Sequence, residues 1–121
     1  MTPQRRRPMG ALETDVLRCL WSTESALTPA DVVEILDTGL AYTTVMTILT
    51  RLWDKGLVER DRAGRAYAYR PTLSESEYAA RRMEAVLAAT EDREAALSTF
   101  VGSLSRREAR VVRRLMGESG P

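Results

Sequence analysis

The chain has 121 residues, 44% of them apolar, and a formal net charge of +1. That is the size of one domain, or of a small domain with an appendage, and an ordinary composition for a folded soluble protein. With no histidine and one cysteine, Cys19, the chain lacks an internal disulfide, His-based catalysis and every metal-ligand type but carboxylate, so no enzyme, metal site or cofactor is expected.

No apolar run approaches the roughly 18 residues that suggest a membrane span. The N-terminal stretch MTPQRRRPMG has a basic cluster but no apolar segment behind it, unlike a secretory signal. A cytoplasmic protein without membrane insertion is expected. Residues 1–9, with Arg5, Arg6 and Arg7, read as a disordered basic arm.

Between Ala11 and Trp21, the residues Leu12, Val16, Cys19 and Leu20 recur at helical spacing and should face a core, with Cys19 as a buried thiol. In TPADVVEIL, Thr28 is a good N-cap, Pro29 suits the first helical position and Asp31 nearly completes a capping box. This second helix should end between Asp37 and Gly39. The third spans AYTTVMTILTRLWDKG, Ala41 to Gly56, with Val45, Ile48, Leu49 and Leu52 as its apolar stripe and Gly56 as a left-handed terminator. Ala41 and Tyr42 are poor caps, so Thr43 is expected to cap it. Thr43, Thr44, Thr47 and Thr50 are mediocre helix formers, and a helix built for stability alone would carry Glu, Lys or Ala there.

In LVERDRAGRAYAYRP, Leu57–Arg60 and Ala66–Tyr69 read as strands joined by a turn at residues 62–65, where Gly64 offers positive φ. Three helices followed by a hairpin is the order of a winged helix-turn-helix, whose third helix enters the major groove. The residues off its apolar stripe are Thr43, Thr44, Met46, Thr47, Thr50 and Arg51. A threonine hydroxyl can bond base edges or phosphates, and its methyl, like Met46, can pack on the thymine methyl. Arg51 is placed for a phosphate, and Arg62 and Arg65 flank the wing tip, where backbone or minor groove would lie. From Tyr42 to Arg70 six basic residues face three acidic ones, a bias of +3, which suits local contact with a polyanion. Lys55 and Arg60 read as solvated surface, and Trp21 and Trp53 as core or subdomain-contact aromatics.

Beyond Leu73 the chain reads as helical, and its eight arginines balance eight carboxylates. Ser74 with Glu77, and Ser105 with Glu108, form capping-box patterns. Three segments carry apolar positions: Tyr78, Met83, Val86 and Leu87; then Leu97, Phe100 and Val101; then Val112, Leu115 and Met116. They are too short for a core of their own. Pairing with a second copy would bury them, and packing back on the winged helix is the alternative. The expected fold is therefore mostly α with a small β-hairpin: a winged helix-turn-helix DNA-binding domain over 10–72, then helices over 73–121 for dimerisation.

Taken together, ALETDVLRCLW, TPADVVEIL and AYTTVMTILTRLWDKGLVERDRAGRAYAYRP resemble the BlaI/MecI family of penicillinase repressors from about Gly10 to Met116, most specifically in the third helix. The resemblance implies a homodimeric winged-helix repressor of palindromic operators, acting on β-lactamase or related genes. It directs Thr43, Thr44, Met46 and Thr47 to bases, and Thr28, Thr50, Arg51 and the wing to backbone. It further implies inactivation by a membrane sensor protease, with STFVG placing the cut at Thr99–Phe100, where the best-known members often carry Asn before the Phe. The tail LMGESGP lacks the cysteines of copper-regulated relatives. Two other functions fit the same pattern: a winged-helix module for protein contacts, and a repressor sensing a small molecule.

Overall fold

The computed structural model describes residues 8–117. In order, the elements are α1 (Met9–Trp21), α2 (Pro29–Leu36), α3 (Tyr42–Asp54), β1 (Val58–Ala63), β2 (Ala66–Pro71), α4 (Glu75–Ala88), α5 (Arg93–Gly102) and α6 (Arg106–Leu115). They fall into two compact units, one through Tyr78 and one from Ala79 onward. The basic arm expected over 1–9 lies outside the described residues except for Pro8 and Met9, and Met9 belongs to α1, partly buried against the core.

In the first unit, α1 to α3 pack their apolar stripes together. Val16, Leu17, Val32, Val45, Ile48, Leu49 and Leu52 are wholly buried, joined by Cys19, Leu20, Leu27, Leu57, Val58, Tyr69, Leu73 and Tyr78. Burial pushes the Cys19 thiol up, so it stays protonated at neutral pH. A complete capping box opens α2, with Thr28 and Asp31 exchanging side-chain and backbone bonds, and Asp37 ends the helix in a left-handed conformation. Thr43 does not cap α3. The helix starts two residues earlier, at Tyr42, with Ala41 as an N-cap that offers no side-chain bond. At the other end Gly56, at φ +76°, lets the Leu57 amide reach back to the Leu52 carbonyl at 2.9 Å, the bond that closes a Schellman motif.

The wing is larger than its sequence suggests. β1 and β2 pair antiparallel from Val58↔Pro71 to Ala63↔Ala66, leaving only Gly64 and Arg65 in the turn. Positive φ falls on Gly64 alone, the pattern of a type II′ hairpin turn. Arg62 therefore lies on the strand opposite Tyr67; only Arg65 is at the tip. Ahead of α2, Leu27 pairs with Tyr69 through two backbone bonds of 2.9 and 2.7 Å, which ties the loop to the wing base.

Three further expectations are corrected. Lys55 is not simply solvated: its Nζ sits 2.9 and 3.0 Å from the two carboxylate oxygens of Glu13, a buried acid on α1. A carboxylate removed from water requires such a partner. Arg60 is not free surface either, as described below. Tyr78 is buried within its own chain, 5.7 Å ring to ring from Trp21, whose indole N–H donates to the Leu73 carbonyl at 2.9 Å. These contacts carry the first unit through Tyr78 and withdraw that residue from any surface that could meet a second copy.

The second unit consists of the rest of α4, with α5 and α6. Complete capping boxes at Ser74/Glu77 and Ser105/Glu108 open α4 and α6, and Asp92 caps α5. Among the described residues from Ala79 onward, none is fully buried.

Candidate nucleic-acid interface

On α3, burying Val45, Ile48, Leu49 and Leu52 turns the opposite side outward. Thr43, Thr47 and Thr50, spaced by four and three, form one exposed line that Asp54 continues. Thr44 and Arg51 flank it on one side, Met46 and Trp53 on the other; Thr44 and Met46 are partly buried and Arg51 is exposed. The Thr47 hydroxyl donates to the Thr43 carbonyl at 3.0 Å. Its proton is thereby engaged, and what it offers outward is an acceptor lone pair and a methyl group, suited to a base amino group or a thymine methyl. The absence of a side-chain cap at Ala41 leaves the first amides of α3 open to an anion. Thr28 caps α2 through its oxygen and retains a hydroxyl proton to donate.

In the hairpin, the period of two sorts charge by face. Glu59, Asp61 and Arg70 share one side, where Arg70 pairs with Glu59 at 3.4 Å and with Asp61. Arg60 and Arg62 share the other side with Tyr69 and Tyr67. The Arg60 guanidinium lies 3.9 Å from the Trp53 ring centre and 4.1 Å from that of Tyr67, and Arg62 is 5.5 Å from the latter. The bias of +3 thus resolves into particular residues. Glu13 engages Lys55, two carboxylates engage Arg70, and two rings hold Arg60. Among the described residues, no carboxylate pairs with Arg51, Arg62 or Arg65.

The structure therefore gathers Thr28, the α3 threonines, Met46, Arg51, Arg62 and Arg65 in one unit. It adds Trp53, Arg60 and Tyr67, which the helical stripe does not disclose. Their signal in the sequence is the alternation of Arg60 with Arg62 and of Tyr67 with Tyr69, which puts all four on one face of a hairpin.

The remaining predicted residues lie in the second unit. Met83, Val86, Leu87, Leu97 and Phe100 line an apolar groove of about 680 Å³. Val101, Val112, Leu115 and Met116 are exposed. Thr99 and Phe100 lie inside α5, so a protease would need that helix locally unwound to reach the bond between them.

A model of the penicillinase repressor family matches residues 9–118. The chain is 42% identical over 115 residues to a transcriptional regulator BlaI of Mycobacterium tuberculosis, spanning 91% of this chain and 83% of that one. A penicillinase repressor of Bacillus licheniformis is 31% identical over 67 residues, 54% of this chain and 52% of that one. The solution structure of the DNA binding domain of the repressor BlaI superposes with a TM-score of 0.51 at 28% identity, covering 64% of this chain and 92% of that domain. The chain therefore belongs to the penicillinase repressor family, transcriptional regulators rather than enzymes, and its first unit has the winged-helix fold.

Proposed function

We propose that the chain is a homodimeric repressor that occupies palindromic operator DNA in the cytoplasm, controlling β-lactamase or related genes. The α3 threonines and Met46 read bases; Thr28, Thr50, Arg51, Arg62 and Arg65 hold the backbone. The observation that carries DNA binding is the coincidence, in one unit, of a neutral threonine line with three arginines that no carboxylate among the described residues neutralises. Dimerisation is supported by the second unit, which leaves Met83, Val86, Leu97, Phe100, Val101, Leu115 and Met116 exposed and so lacks a core that one copy could complete. A second copy is the occupant proposed for its groove. Release follows when a membrane sensor protease leads to cleavage at Thr99–Phe100 and the pairing is lost.

Footprinting on the gene's own upstream DNA tests this. Two protected half-sites should appear, one helical turn or a multiple of it apart, about 10 base pairs per turn. Phe100→Ala should weaken the dimer by about 3–5 kcal/mol if the ring is fully buried there, and the footprint should fade with it. Sedimentation showing an unaltered Phe100→Ala dimer at micromolar concentration would remove Phe100 from the interface, and a single unsymmetrical footprint would remove the palindrome.

A further inference from the structure

The run Trp53–Arg60–Tyr67–Arg62 connects the last turn of α3 to the outer half of the wing. Tyr67 packs in part against the core, but the core does not account for its alignment with the two guanidinium groups and Trp53. Trp53 is 42% exposed, too open to be a core residue. The single guanidinium of Arg60 sits 3.9 Å from its ring centre and 4.1 Å from that of Tyr67, with Arg62 next in line at 5.5 Å from the Tyr67 ring centre. A planar, weakly hydrated guanidinium stacks on aromatic faces in a way an ammonium does not.

The inner half of the wing needs no such help. Val58 and Tyr69 are buried, and Leu27 bonds to the Tyr69 backbone. The outer half is different. Among the described residues, no hydrogen bond or ion pair links 61–67 to α3. A two-stranded ribbon without such links can swing about its base. Beyond the partial packing of Tyr67 on the core, the stack is what reaches across from α3 to Tyr67 and Arg62.

We infer that Arg60, clamped between Trp53 and Tyr67, is a positioning residue that fixes the angle of the wing against α3, so that Arg62 and Arg65 meet a duplex while the threonine line reads it. This rests on the DNA-binding reading. The stack supplies geometry rather than charge, so removing an uncharged ring should act like removing cations from the wing.

The test is Trp53→Leu in the full chain, which leaves every charge in place and substitutes an exposed side chain. Two readouts are taken. Without DNA, backbone amide relaxation over residues 61–67 should show greater fast motion in the variant, with α3 amides unchanged. With the upstream duplex, the variant should bind about thirty- to a thousandfold more weakly at ~0.15 M salt, with a salt slope shallower by about two to four, as one or two phosphate contacts are lost from each copy. Trp53→Tyr, which keeps an aromatic face, should restore both. Unchanged relaxation in Trp53→Leu overturns the positioning role whether or not DNA binds, as does an unchanged affinity and slope. If the wild type itself binds no duplex, it is the DNA-binding reading that fails, while the relaxation result still decides the clamp.

Discussion

Tyr69→Ala is expected to destabilise the first unit by about 3–5 kcal/mol, the range for removing a fully buried aromatic side chain. Tyr69 is 1% exposed, and its backbone makes both bonds to Leu27. The substitution therefore opens a cavity where three parts of the fold meet: the loop before α2, the helical core and the wing. Against a domain stability of about 5–15 kcal/mol, this is a large fraction. In urea, where a small domain has a slope of about 1–3 kcal/mol per molar, the midpoint should fall by at least ~1 M. A midpoint within about 0.3 M of wild type, followed by circular dichroism, would mean that this position is not the packed junction described here.

Arg62→Ala combined with Arg65→Ala is expected to have the opposite profile: unchanged folding and a large loss of binding. Both side chains are exposed, and among the described residues neither has a carboxylate partner, so no such ion pair is lost. If each contacts one phosphate, the two copies on an operator lose four contacts, so the salt slope should be shallower by about 3.6, or roughly a thousandfold weaker binding at ~0.15 M. The loss should be the same on target and random duplexes, because phosphates carry no sequence. Titration at four or five salt concentrations measures it, and parallel slopes for wild type and variant would exclude the wing from the interface.

The parts of this architecture visible in the sequence are those that depend on local periodicity and capping. The stripe Val45, Ile48, Leu49 and Leu52, the box at Thr28 and Asp31, and Gly56 each announce an element within a single turn of chain. The contacts that escape such reading join distant positions. Glu13 occupies the buried side of α1, yet nothing near it indicates Lys55, 42 residues away. Tyr78 looks like one more apolar helix position until Trp21 is seen against it. The outer wing is hidden for a different reason. VERDRA lacks the apolar alternation that marks a strand, although its charges alternate in sign, Glu59 and Asp61 against Arg60 and Arg62, with the strand's own period of two. That alternation places Arg60 on the face of Tyr67 and Tyr69, and it is the one signal from which the clamp could have been read. The exposure of the threonines, by contrast, follows from position: once the apolar stripe is buried, Thr43, Thr47 and Thr50 have nowhere to face but outward.

The central claim is that this outward face reads sequence. It is tested most directly by fluorescence anisotropy of the full chain on its own upstream duplex and on a scrambled duplex of equal length, across several salt concentrations. Binding that is much tighter on the native duplex and falls steeply with salt on both is the predicted result. Equal, weak and salt-insensitive binding to the two duplexes would contradict it.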